Sequence, residues 1–157
     1  MGNAGAWDAL LWLGGLISMA DSLRELGFVE WFASGIETQV ADMNWFTSLL
    51  LLVLVYFYSM YCFSMLTGHI KAMVAAFFLV AVGSGAPPML TVALFAYFSN
   101  LCGCLTNYST GPVVIYFGLG YVESAKWFKI GFLVSLLHLA VWLGVGLPWW
   151  HFLGWWN

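Results

Sequence analysis

Residues 106–112 read Thr-Asn-Tyr-Ser-Thr-Gly-Pro, a polar heptad between two apolar runs, and residues 66–69 read Leu-Thr-Gly-His in similar surroundings. Throughout residues 43–122, which contain both, Lys71 is the single charged side chain. Polar groups are costly in lipid, and those that persist there usually have a function. Two polar breaks with Gly or Pro inside apolar segments are typical of the binding site of a membrane transporter.

The composition places the chain in the membrane. Of its 157 residues, 63% are apolar and only 7% are charged, whereas soluble domains average about 25% charged residues. Because long apolar runs span lipid as helices, the sequence predicts an all-α polytopic membrane protein. Four Lys and Arg residues against seven Asp and Glu residues provide no basic face, which excludes nucleic acid as a partner.

The reactive side chains form no catalytic or metal-binding pattern. Cys102 and Cys104 are one residue apart with no pair of histidines nearby, and three cysteines make no disulfide framework. His69 and His138 have no ligand cluster around them, and the apolar spans contain no Asp or Glu. The sequence therefore predicts no catalytic residue, no metal ligand and no cofactor, and it argues against an enzyme.

The apolar runs predict four to five spanning or re-entrant elements, after a short apolar segment at 7–19 and an interfacial helix over 23–35. A charged turn is expected at 123–129, and the positive-inside rule places its two lysines in the cytoplasm. Pro148 is expected to end the last span. The predicted runs are residues 45–63, 70–82, 89–105, 113–122 and 130–147, with a Gly- and Pro-rich break at 83–88.

The polar heptad predicts an unwound helix. Pro112 removes a backbone donor and Gly111 weakens a helix, so a shorter helix is expected to begin near Pro112. The N-terminus of such a helix has partial positive charge and free N–H groups, which suit a carboxylate. The hydroxyl groups of Thr106, Ser109 and Thr110 add neutral donors, so a carboxylate could bind here without an arginine.

The first polar break leaves two arrangements open. One is a re-entrant hairpin with its tip at Thr67, and the other is a pair of spanning helices with residues 67–71 in an external turn. His69 is either a proton relay or anion donor, or else a hydrogen-bonded packing histidine. Lys71 either attracts a dianion or extends its amine to the membrane interface.

Residues 64–70, 98–112 and 116–122 resemble the divalent anion:sodium symporter superfamily, specifically its citrate/succinate antiporters and 2-oxoglutarate/malate translocators. The segment 106–122 is the specific part of this resemblance. It implies that residues 1–157 form a single transmembrane region, the second of two inverted repeats, with a re-entrant hairpin and an unwound transmembrane helix. The implied function is di- or tricarboxylate transport by anion exchange, in an alternating-access carrier of which this is the C-terminal part.

The resemblance also implies the site residues. The family has a Ser-Asn-Thr signature at the hairpin tip, where this chain has Met65-Leu66-Thr67. Because Leu66 replaces the asparagine and cannot coordinate sodium, exchange is favoured over sodium symport. Thr110 and Gly111 are expected at the substrate, with the Ser109 backbone nearby. The substrate-binding residues expected in full are Thr67, His69, Asn107, Ser109, Thr110, Gly111 and Pro112.

Members of that family are several times longer than this chain, so the resemblance implies that the first repeat is absent. The expected partners are the lipid bilayer, the missing N-terminal repeat, a second copy in a homodimer, and malate, succinate, 2-oxoglutarate or citrate. The expected location is a bacterial inner (plasma) membrane. The alternatives are a small structural or assembly subunit of the membrane, and a truncated fragment without function.

Overall fold

A computed structural model describes residues 43–156 continuously, and before them only 7, 11, 14–15, 18, 21–22, 25–27, 31 and 34–35. The short segment expected at 7–19 and the interfacial helix expected over 23–35 therefore lie largely outside the described residues. Within 43–156 the regular structure is entirely helical. This confirms the all-α class for the part of the chain that can be described.

Between residues 43 and 156, six α-helices follow one another, and three shorter helical turns of other types extend or join them. The α-helices are α1 (Trp45–Ser59), α2 (Leu66–Gly83), α3 (Pro88–Leu101), α4 (Gly111–Gly118), α5 (Ser124–Val141) and α6 (Leu147–Phe152). The turns are 3-10 at Met60–Cys62 and Cys102–Cys104, and π-helical at Trp142–Gly146. Among the described residues, three stretches are long and apolar enough to cross a membrane: Trp45–Cys62, Leu66–Gly83 and Ser124–Phe152.

Local sequence explains most helix ends. The Asn44 side chain accepts a hydrogen bond from the N–H of Phe46 at 2.7 Å and caps α1. The expected break at 83–88 is confirmed, because α2 ends there and α3 begins at Pro88, a residue suited to the first helical turn. Between them, Gly85 has a φ of 88°, in the left-handed region that glycine favours.

One of the two arrangements considered for the first break is wrong in detail. α2 begins at Leu66, so residues 67–71 are helical and do not form an external turn. Thr67, where a hairpin tip was expected, lies in the first turn of α2, and the non-helical link between α1 and α2 is the segment 63–65. The weak helix propensity of Thr67 and Gly68 does not delay the helix, because the long apolar run that follows is packed against α1 and α3.

Two predictions about the C-terminal region are also wrong. Residues 123–129 do not form a charged turn, since α5 begins at Ser124 and both lysines lie in its first turns. Pro148 does not end the last span, because helical structure continues to Phe152. In a regular α-helix the Pro148 ring would collide with the carbonyl four residues earlier. Here the π-helical turn just before it, closed by the Leu147 N–H on the Trp142 carbonyl, widens the helix at that point.

The core lies between α1, α2 and α3, where large aromatic side chains are fully buried. Tyr56 and Phe57 of α1 contact Phe95 and Phe98 of α3 with nearly perpendicular rings. By contrast, α4 has no buried residue, and α5 buries only Gly131 and Ser135. The outward faces of these two helices are apolar, as expected for surfaces that contact lipid or further protein.

Candidate functional site

The two polar breaks of the sequence meet in space. The N–H of Leu66, at the start of α2, donates a hydrogen bond to the carbonyl oxygen of Ser109 at 2.8 Å. Met65 provides no side-chain cap for α2, so the Ser109 carbonyl partners one of the N–H groups that a helix start leaves free. Ser109 in turn lies two residues before α4, and the contact therefore brings the beginnings of two helices together.

The predicted unwinding is confirmed. α3 ends in the 3-10 turn Cys102–Cys104, and the following residues 105–110 are not helical. The hydroxyl of Ser109 is fully buried and donates to the carbonyl oxygens of Gly103, at 2.5 Å, and Thr106, at 3.1 Å. This hydroxyl is therefore committed to holding the unwound segment together, and the Ser109 carbonyl is committed to α2.

The start of α4 lies at the predicted place. Thr110 is its N-cap, with its Oγ1 accepting from the N–H of Val113 at 3.5 Å, so the hydroxyl hydrogen can still be donated elsewhere. Gly111 and Pro112 form the first exposed positions of the helix. A Cβ added to Gly111 would meet no atom within 4 Å, so the backbone there borders open space.

Thr67 lies on the other side of the Leu66–Ser109 contact. Its side chain is exposed, in the first turn of α2. The structure thus brings Thr67 near Thr110 and Gly111, although most of α2 and all of α3 lie between them in the chain. Two helix N-termini, one with the exposed Thr67 and the other with the half-buried Thr110, provide partial positive charge and hydroxyl donors, which are chemically suited to an anion.

His69 points away from this group of residues. Its ring is fully buried between the rings of Tyr56 and Phe63, at centroid distances of 4.5 and 5.1 Å. Nε2 lies 2.8 Å from the Ser59 hydroxyl oxygen and 3.1 Å from the Tyr56 carbonyl oxygen. Nδ1 is buried without a hydrogen-bond partner among the described residues. This placement favours the packing histidine of the two roles considered for it.

Asn107 and Tyr108 connect the unwound segment to its neighbours. The Asn107 amide donates to the Ser124 hydroxyl at 3.2 Å, at the start of α5. The Tyr108 hydroxyl donates to the Tyr61 carbonyl at 3.2 Å, in the 3-10 turn that follows α1. Asn107 is therefore linked to α5 rather than to Thr67 or Thr110.

Sequence reasoning missed Gly131 of α5. A Cβ at this buried position would lie only 2.7 Å from the carbonyl oxygen of Cys104 and 2.8 Å from that of Leu105. An isolated glycine inside a helical run is the signal that could have indicated it, since such a glycine often has a packing reason. Among the described residues, no group of three or more His, Cys, Asp or Glu side chains is placed to hold a metal ion.

Known proteins resemble the chain over nearly its whole length. It is 42% identical over 153 residues to dicarboxylate transporter 1 of Arabidopsis thaliana chloroplasts, covering 96% of this chain and 28% of that protein. It is 38% identical over 151 residues to dicarboxylate transporter 2 of Spinacia oleracea chloroplasts, covering 95% and 27%. With the citrate/succinate antiporter of Escherichia coli strain K12 it shares 35% identity over 155 residues, covering 97% and 31%. The chain spans less than a third of the length of these relatives.

The expected resemblance is confirmed by these relatives, and their names are those of transporters rather than enzymes. Apolar helices long enough to cross a membrane agree with an integral, multi-pass membrane protein. Residues 1–156 match the family described as the sodium:sulfate symporter transmembrane region. The chain belongs to that family.

Proposed function

We propose that the chain is part of a membrane carrier for di- or tricarboxylates such as malate, succinate, 2-oxoglutarate or citrate. The observation that supports this most is the Leu66–Ser109 hydrogen bond, which brings the exposed starts of α2 and α4 together. The relatives named as dicarboxylate transporters and as a citrate/succinate antiporter agree with the same class of substrate.

In this proposal one substrate carboxylate lies between the two helix starts. The hydroxyls of Thr67 and Thr110 donate to it, and the bare backbone at Gly111, just before Pro112, lets it approach the positive end of α4. Such a site needs no lysine or arginine, in keeping with the single charge in residues 43–122.

Three other predicted site residues would shape the site rather than touch the substrate. Ser109 holds the unwound segment by its hydroxyl and contacts α2 by its carbonyl. Asn107 is bonded to Ser124, and His69 lies against α1. We assign all three a supporting role in the carrier, because the Ser109 hydroxyl, the Asn107 amide nitrogen and the Nε2 atom of His69 are already hydrogen-bonded within the protein.

We infer that α1 and α2 form a re-entrant hairpin. Each arm is 18 residues long, which gives about 27 Å against a hydrocarbon thickness of about 30 Å. Length alone therefore also permits two spanning helices. The hairpin tip, however, contacts the unwound segment between α3 and α4, and α4 adds eight further residues after that segment. Because this contact lies part-way along the path formed by α3 and α4, it supports a tip that lies inside the membrane.

The mode of transport is proposed to be exchange of one carboxylate for another by alternating access. Leu66 has no side-chain oxygen for a sodium ion at the hairpin signature, and exchange needs no sodium gradient. The citrate/succinate antiporter among the relatives is named for exchange. The antiporter comes from Escherichia coli, whereas the dicarboxylate transporters come from chloroplasts. Location in a bacterial plasma membrane therefore remains a prediction.

Counterflow in proteoliposomes tests the proposal. Vesicles loaded with unlabelled malate, succinate or citrate would receive the chain alone, the chain with the polypeptide encoded directly upstream, or the latter carrying Thr110→Ala. We expect uptake of labelled substrate only with the upstream polypeptide, equal uptake in sodium and choline, and loss in the variant. Absence of exchange in every preparation would refute the proposal and favour a structural or assembly subunit, or a fragment without function.

A further inference from the structure

Gly131 of α5 allows an unusually close approach to the backbone of the unwound segment. The Cβ of any other residue would lie 2.7 Å from the Cys104 carbonyl oxygen and 2.8 Å from the Leu105 carbonyl oxygen. Ordinary van der Waals contact begins at about 3.4 Å, so these oxygens would have to move by roughly 0.7 Å. They belong to the backbone and cannot turn away as the end of a flexible side chain does.

A shift of the backbone at Cys104 and Leu105 would also change the geometry of the proposed substrate site, because hydrogen bonds link the two. Gly103, next to Cys104, accepts the hydrogen bond of the Ser109 hydroxyl. Thr106, next to Leu105, accepts the second hydrogen bond of the same hydroxyl. The Ser109 carbonyl in turn binds the N–H of Leu66 at the start of α2. These three hydrogen bonds thus connect the contact at Gly131 with both helix starts.

α5 is also held in place on this face, so it cannot easily move away. Ser135, one turn beyond Gly131, is fully buried, and its hydroxyl lies 3.1 Å from that of Tyr58 in α1. His138, a further turn along, has its Nδ1 at 3.7 Å from the sulfur of Cys104. Residues spaced by three or four positions share one face of a helix, so Gly131, Ser135 and His138 form a continuous contact with α1 and the 3-10 turn.

We propose that Gly131 is a positioning residue for substrate binding, and that α5 fixes the unwound segment through it. This inference rests on the carrier function proposed above, since it assigns Gly131 a part in the same site. Gly131 does not contact the substrate. It sets where the backbone of residues 104–110 lies, and therefore the distance between the Thr110 cap and the start of α2.

The test compares Gly131→Ala with Gly144→Ala in the carrier reconstituted together with its upstream polypeptide. Gly144 lies on the same continuous helical stretch, and a Cβ there meets no atom within 4 Å. Alanine favours a helix over glycine in both cases, so a loss confined to Gly131→Ala cannot come from a weaker helix. We expect the KM for malate counterflow to rise at least about tenfold in Gly131→Ala and to stay unchanged in Gly144→Ala.

A second readout does not depend on transport. Thr110→Cys is placed in each background, and alkylation of the new thiol by a maleimide is followed by mass spectrometry. Because thiol reaction rates follow exposure, we expect Gly131→Ala to change the rate at least about threefold. Gly144→Ala should leave the rate unaltered. Should Gly131→Ala fail to fold, Ser135→Ala is the second variant, because it releases α5 from Tyr58 without adding a methyl group.

The outcomes separate the two proposals. Unaltered KM and unaltered alkylation in Gly131→Ala would overturn the positioning role of Gly131. Where Gly131→Ala does not fold, unaltered alkylation in Ser135→Ala would do the same. If the unchanged protein exchanges no carboxylate, the carrier function fails, and the alkylation rates still decide whether α5 sets the position of Thr110.

Discussion

Ser109→Ala is the change that tests most directly how the unwound segment is held. The Ser109 hydroxyl is fully buried and donates to two backbone carbonyls, those of Gly103 and Thr106. The single hydroxyl proton is shared between the two oxygens, so alanine removes this shared hydrogen bond and leaves both carbonyl oxygens without the donor. Hydrogen bonds within membrane proteins average about 0.6 kcal/mol each, and a buried acceptor left unpaired costs more. We therefore expect the free energy of unfolding to fall by about 1–2 kcal/mol.

Ser84→Ala is the matched control. Its hydroxyl donates one hydrogen bond, at 2.8 Å, to the Ala81 carbonyl at the end of α2, far along the helix from the Leu66 contact. We expect a smaller loss of stability, and no change in transport. Ser109→Ala, in contrast, should also lower the rate of malate counterflow, because residue 109 loses the hydroxyl that fixes its backbone, and its carbonyl then holds the start of α2 less firmly.

Unfolding is measured in mixed micelles as the fraction of a denaturing detergent is raised, and tryptophan fluorescence reports it. The ten tryptophans of the chain make this signal sensitive. Counterflow is measured on the same preparations. If Ser109→Ala unfolds at the same free energy as the unchanged protein, or loses no more stability than Ser84→Ala, the hydroxyl does not hold the segment and the reasoning is refuted.

Three further predictions concern the neighbouring positions. Thr110→Ala should lose the cap of α4, at a cost of about 1 kcal/mol in unfolding free energy, and abolish counterflow, whereas Thr110→Ser should keep both. Gly111→Ala should unfold like the unchanged protein, because its Cβ meets open space, yet show a raised KM for dicarboxylates; an unchanged KM would remove Gly111 from the site. Tyr56→Phe removes a buried 2.6 Å contact with Ser99 and should cost about 1 kcal/mol in unfolding with no change in KM.

Local chemistry made several parts of this fold predictable. Gly85 and Pro88 mark the break between α2 and α3, and Gly111 with Pro112 marks the start of α4, because these residues limit backbone conformation whatever surrounds them. Thr110 is a favourable capping residue, and it caps. The predictions that failed concern residues whose effect depends on neighbours. Pro148 is accommodated by a π-helical turn, which no pattern in the sequence predicts.

The arrangement of the site was only partly predictable. The sequence indicated Thr67 and Thr110 as separate polar positions, but the bond between Leu66 and Ser109 joins backbone atoms far apart in the chain, and backbone atoms leave no mark on residue type. His69 could be read as a ligand or as a packing residue until its contacts with Ser59 and Tyr56 were seen. Gly131 was missed because its role is to leave room for a close backbone contact, and the sequence does not show which segments come close.

The Leu66–Ser109 hydrogen bond also bears on how the chain assembles during synthesis. On the proposal that α1 and α2 form a re-entrant hairpin, this hairpin emerges from the ribosome well before Ser109, so the Leu66 N–H lacks its acceptor while the hairpin is the last segment made. An unpaired N–H in hydrocarbon costs several kcal/mol. The nascent hairpin tip is therefore expected to stay near water or the insertion machinery until the segment around Ser109 arrives. Folding of the site would then set the order in which these helices settle into the bilayer.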